Sequence, residues 1–144
     1  MLWVRIGRLH CIMAFRVEWT DDEERIILLT YFDTMMMSDY IESIDRCREI
    51  MMDRDHTIHV IVDRSGVTDH PPRITKALRH AATNIPGNVG LRVVIKPTTF
   101  TRIMVDMART IVPLAIENLK YADSITEAHA LIKKWEDEKN TSPS

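Results

Sequence analysis

The chain has 144 residues, 45% apolar and 28% charged, with a net charge of −2 and a pI near 6.3. That length makes one domain, able to bury about 70% of its extended-chain surface. The near-neutral balance argues against a whole-domain nucleic-acid binder, which carries a basic excess, and no apolar run approaches the roughly eighteen residues of a membrane span. Cys11 and Cys47 are too few for a disulfide framework and lack metal-ligand spacing, so reduced thiols in a cytosolic protein are expected.

Residues 1–12 combine Arg5 and Arg8 with apolar residues but lack the long apolar core and cleavage site of a secretory signal. They read either as an extra edge strand on the Leu2/Val4/Ile6 alternation or as an arm upstream of a true start at Met13. The second is favoured, because recognisable organisation begins at Ala14. Phe15, Val17 and Trp19 then alternate as in a half-buried strand, Thr20–Glu24 is a polar turn, and Arg25–Phe32 completes a hairpin. Asp39 with Glu42 resembles a capping box for a helix over Ser38–Asp53, with Tyr40, Ile44, Cys47 and Met51 at helical spacing.

Thr57–Val62 is apolar and β-branched nearly throughout, the composition of a strand buried on both faces in a parallel sheet. The strand is expected to stop at Asp63, followed by a Ser65-Gly66 turn and a helix opened by Pro71-Pro72, with Ile74, Ala77, Leu78 and Ala81 inward. After turn residues at 84–88 come a strand at Leu91–Ile95 and a helix capped by Thr98 or Thr99. Phe100, Ile103, Met104, Met107, Ala108 and Ile111 lie on one side of that helix. A short strand falls within Ile116–Ala122, and Ser124-x-x-Glu127 caps a last helix with Ala128, Leu131, Ile132 and Trp135 inward. The polar stretch from Glu136 is expected to fray, which leaves a domain over 13–138 and a disordered tail at 139–144. The expected fold is α/β: a mixed sheet of about five strands, an antiparallel hairpin followed by parallel β-α units with right-handed crossovers, and four main helices.

That element order and the segment Val60-Ile-Val-Asp-Arg-Ser-Gly-Val-Thr68 resemble the STAS/SpoIIAA-like superfamily, in the bacterial branch where a strand-borne Asp-x-Ser precedes the second helix. Tyr121-Ala-Asp-Ser-Ile-Thr-Glu-Ala128 resembles the same branch. The resemblance spans Ala14 to Trp135 and implies a domain of the anti-sigma-factor-antagonist type, an architecture also shared with CRAL-TRIO lipid-binding domains. Signalling members carry an Asp-Ser pair after this motif, whose serine is phosphorylated by a partner kinase. Here that place reads Asp69-His70-Pro71-Pro72-Arg73, so the resemblance implies no phosphoserine switch.

The candidate ligand- or partner-binding residues gather after the central strand, because sites of open α/β sheets form beyond the carboxyl ends of strands. Asp63 either orients a ligand or closes an Asx-type turn on its own downstream N–H groups, and Ser65 fits the same turn. Asp69 and His70 precede the second helix, where one of them can cap it. Arg64, Arg73 and Lys76, with Arg79, surround the helix start and suit a phosphate, a lipid head group or an acidic patch, or form a solvated helix face. No catalytic constellation, phosphate loop, dinucleotide fingerprint or converging metal-ligand set is found. Met35, Met36 and Met37 are awkward to bury together and are the expected interface of a homodimer. The leading expectation is a non-enzymatic regulatory module that meets a protein partner, of which an anti-sigma-type regulator is one candidate. The alternative is a carrier or sensor of a small apolar or anionic ligand, with no cofactor in either case.

Overall fold

In the computed structural model, the structure describes residues 14–69, 74–83 and 85–141. The N-terminal arm at 1–12 and its suggested strand lie outside the described residues. Five strands form one sheet in the order β1 (Phe15–Trp19), β2 (Ile26–Thr34), β3 (Ile58–Asp69), β4 (Val89–Ile95), β5 (Leu119–Ala122). β1 and β2 are antiparallel; β2 through β5 are parallel. The helices are α1 (Met37–Met52), α2 (Ile74–Ala81), α3 (Thr99–Ile111) and α4 (Ile125–Thr141), with a 3-10 turn at Pro113–Ile116.

Spatial order follows chain order, and this fixes the layers. Successive right-handed crossovers that always advance in the same direction place α1, α2 and α3 on one face. The opposite face is left for α4. Strand residues divide accordingly: Phe15, Val17, Ile27, Leu29, Tyr31, Ile58 and Val60 pack with Tyr40, Cys47 and Met51 of α1 and Ala77 of α2. Ile61, Leu91, Val93 and Ile95 pack under Ala128, Ile132 and Trp135 of α4. The inward set expected for α4 is therefore observed.

Five local expectations need correction. β3 does not stop at Asp63 but runs to Asp69, since β2 continues to Thr34 and offers a partner; two register irregularities absorb the extra residues of β3. No glycine among the described residues has positive φ, so Gly66 serves no left-handed turn. Asp39 is the third residue of α1 rather than its cap, and its carboxylate accepts the Met36 N–H at 2.9 Å. In α3 the buried residues are Thr101, Val105 and Ala108, which turns Ile103, Met107 and Ile111 outward. Finally, α4 remains helical through Thr141, because Glu136 is anchored against the sheet.

Candidate functional site

Among the described residues, the expected site does not assemble as one cluster. Asp63 and Ser65 lie in the bulge that sets Thr30 and Phe32 of β2 against Asp63 and Gly66 of β3. Asp63 Oδ1 accepts both the Ser65 N–H (2.9 Å) and the Ser65 hydroxyl (2.6 Å), the Asx-type closure that the sequence allowed. Arg64 points elsewhere. Its guanidinium donates to Tyr40 Oη at 2.7 Å and Thr101 Oγ1 at 3.2 Å, and stands over the Tyr40 ring. Asp69 ends β3 opposite Thr34, six residues past Asp63, which is about 20 Å of extended chain. Lys76 is exposed on α2. His70 and Arg73 lie outside the described residues. A strand where a loop was expected thus holds Asp63 and Asp69 apart.

Arg64 belongs instead to a polar chain threaded between the sheet and two helices. Thr98 caps α3 by accepting the Thr101 N–H at 3.1 Å, and the two hydroxyls lie 3.0 Å apart. Tyr40 stacks tilted on Tyr31, whose hydroxyl meets Ser43 Oγ at 2.7 Å; Ser43 donates to the Tyr40 carbonyl. Burial pushes the Tyr31 and Tyr40 hydroxyls above the usual tyrosine range. The neighbouring Cys47 thiol is pushed up to about 12 by burial, so it stays protonated and unreactive. This chain ties α1, β3 and α3 together.

A second buried polar group lies at the opposite end of the strands and was not anticipated. His59 is fully buried on the α4 face. Its Nδ1 accepts the Leu91 N–H at 2.9 Å, so Nε2 carries the proton and donates to Glu136 Oε2 at 2.8 Å. The Arg25 guanidinium donates to the same carboxylate oxygen, and Trp135 meets the imidazole edge-on at 5.3 Å. Gly90 makes the room: a Cβ there would come within 2.4 Å of His59 Nδ1. Burial lowers the His59 pKa below its ordinary value despite the Glu136 carboxylate. The signal available in sequence was a histidine inside an apolar strand together with a glycine inside another.

The three methionines of the expected interface are placed differently from one another. Met35 is 1% exposed in the core and Met37 is partly buried against it, whereas Met36 is 64% exposed. Besides Met36 and Met52, exposed apolar residues lie on α3, where Ile103 (53% exposed), Met107 and Ile111 follow at four-residue spacing, and at Leu114 (54%) in the turn after it. Two open grooves lie at the amino-terminal ends of the strands, away from Asp63. One, of about 550 Å³, is lined by Leu91, Trp135, Lys120 and Lys139; the other, of about 670 Å³, by Met52, Arg54 and Pro86. Among the described residues no three His, Cys, Asp or Glu converge as metal ligands, and no helix is long and apolar enough to cross a membrane.

No family model matches the sequence, and no curated protein sequence is similar to it. Solved structures do match. The anti-sigma factor antagonist SpoIIAA in its unphosphorylated form superposes with a TM-score of 0.56 at 10% identity, over 83% of this chain and 98% of that one. The phosphorylated form of the Bacillus cell fate determinant SpoIIAA gives 0.54 at 10% identity, over 83% and 99%. An anti-sigma-factor antagonist (STAS) domain protein from Planctomyces limnophilus gives 0.55 at 12% identity, over 83% and 97%. With the mixed five-stranded sheet and its four helices, these matches show that the chain has the STAS/SpoIIAA-like fold.

Proposed function

We propose that this domain is a regulatory binding module that acts through protein–protein contact, without chemistry of its own and without a phosphoserine switch. The observation that carries the reading is the exposed apolar row Ile103, Met107, Ile111 and Leu114. Apolar residues this close on one helix side are costly to leave in water and mark an interaction surface. The bonds among Arg64, Tyr40, Thr98 and Thr101 support it, since these polar groups near the carboxyl ends of β3 and β4 hold helices in place. So does the sheet order, which never reverses and therefore opens no switch-point crevice for a small ligand.

The partner class is an anti-sigma-type regulator, by analogy with the solved neighbours, which are described as anti-sigma factor antagonists. Ser65 is hydrogen-bonded to Asp63 within β3, away from the helix start. The test mixes the purified chain with the anti-sigma-type regulators of its own genome and reads complex formation by calorimetry. Binding should weaken at least about tenfold in Ile103→Glu/Met107→Glu, as expected of apolar anchors, with the melting temperature retained. No complex with any of them, together with a lipid or nucleotide recovered from the purified protein by mass spectrometry, would overturn the reading in favour of a carrier. Stoichiometric phosphate on Ser65 or Thr68 after kinase treatment would overturn its unphosphorylated character.

A further inference from the structure

The outer side of α3 has a symmetry of its own. Ile103, Met107 and Ile111 are exposed at four-residue spacing, so each step drifts by about 40° around the helix and the band centres on Met107. On one flank Met104 packs against the core. On the other stand Asp106 and Arg109, about 100° and 160° around from Met107 in the same sense. Both are exposed, and the Arg109 guanidinium donates to Asp106 Oδ1 at 2.9 Å.

An occupant of this surface has to match both the apolar band and its charged flank. Residues 1–12 carry Arg5 and Arg8 and no acidic side chain, so they answer only half of the charged pair. A lipid surface suits aromatic anchors, and among the described residues none of the exposed large apolar side chains is aromatic. A second copy of α3 matches every feature, because an isoleucine stands four residues before Met107 and another four after it. We propose that two copies of the chain pair antiparallel along α3, about a two-fold axis at the level of Met107. The proposal rests, as the proposed function does, on this row being an interaction surface, and it names what covers the row when no regulator is bound.

The charges choose the direction. Antiparallel pairing sets Ile103 against Ile111 of the second copy and Met107 against its own copy, and it brings the two Asp106/Arg109 flanks together. Asp106 lies one residue before the axis and Arg109 two residues after it. Arg109 of the second copy therefore falls within about 1.5 Å of the level of Asp106. Each carboxylate then stands between the guanidinium of its own chain and that of the other. Parallel pairing would set this flank against the Met104 side, where no charge answers it. The contact is isologous and closes at two copies. Since Met107 serves both occupants, dimer and regulator complex exclude each other.

The test uses the full chain alone, in sedimentation equilibrium from micromolar to submillimolar concentration. The wild type should dimerise within this range. Met107→Glu places two carboxylates at the axis and should raise the dimer dissociation constant at least about tenfold, with the melting temperature kept. Asp106→Arg and Arg109→Asp each set like charges across the flank and should each weaken the dimer at least about threefold. Mixed together, these two variants should form a heterodimer in native mass spectrometry, and the Asp106→Arg/Arg109→Asp double swap should dimerise like the wild type. A monomeric wild type, or a Met107→Glu dimer as tight as the wild type, would overturn the proposal while leaving regulator binding to its own calorimetric test. Single charge variants that dimerise like the wild type would overturn the antiparallel register. A monomer in which Arg5 and Arg8 resist trypsin, and lose that resistance in Met107→Glu, would give the row to the N-terminal arm instead.

Discussion

His59 is the residue whose environment makes the sharpest demand. With Nδ1 accepting from Leu91, a second proton on the ring has no place without breaking that bond. Burial lowers its folded pKa below the ordinary 6.5, so the folded protein binds fewer protons there than the unfolded chain. His59 therefore contributes its full stability above about pH 6.5 and loses it as the pH falls toward the depressed folded value, by up to about 1.4 kcal/mol per pH unit. Thermal melts should show this slope as the pH falls below about 6.5, and His59→Gln should flatten it. Gly90→Ala drives a methyl group into the same ring and should cost about 1–3 kcal/mol, whereas Gly87, with open space around its Cα, should accept alanine with little effect. Arg64→Met removes the donors to Tyr40 and Thr101 and should cost about 1.5–3 kcal/mol in denaturant unfolding. None of this was legible in the sequence beyond the Asp63–Ser65 turn bond. Glu136 stands 77 residues from His59, and Thr101 stands 37 from Arg64. Sequence spacing carries no sign of pairs that only the folded sheet brings together.

At the scale of elements, the chain's own grammar was reliable where one physical signal dominated. Thr98 and Ser124 both cap helices as read, the latter accepting the Glu127 N–H at 3.1 Å. Thr98→Ala should cost about 1 kcal/mol, measured as a lower midpoint in urea, because the Thr101 N–H loses its acceptor. The expectation failed where two signals competed. Apolar residues cover more than half the circumference of α3, so periodicity could not decide which side faces inward. The decision came from Thr101, whose hydroxyl is taken by Arg64, and this rotates Ile103, Met107 and Ile111 into the open. Likewise Ser65-Gly66 reads as a turn when taken alone, but the extra length of β2 offers a ladder, and Gly66 joins it opposite Phe32. Turn chemistry in a sequence proposes a turn; the presence of a partner strand can overrule it.

The architecture of the whole molecule was legible because its evidence is spread along the entire chain: strand and helix alternate, every crossover is helical, and the stretches Thr57–Val62 and Leu91–Ile95 are mostly apolar. The convergence of a site was not legible, since a few residues of extended chain are enough to separate Asp63 from Asp69. Chain-ordered strands have a further consequence for how the protein forms. Each strand from β2 to β4 pairs with its immediate predecessor and successor in the chain, so no strand waits for a remote one before it can pair. A nascent chain can add strand to strand in order of synthesis, with β1 and β2 as a starting hairpin. The exception is α4, which alone covers the second face and brings Glu136 back to His59 near the start of β3. Everything up to Ala122 therefore carries a bare apolar face and a buried-type histidine without its acceptor until the last helix docks. A chain ended after Asp123 should stay compact but expose that face, binding a hydrophobic dye and losing near-ultraviolet dichroism, and a separate α4 peptide should restore both. A truncated chain with native dichroism would show instead that the sheet needs only its first three helices.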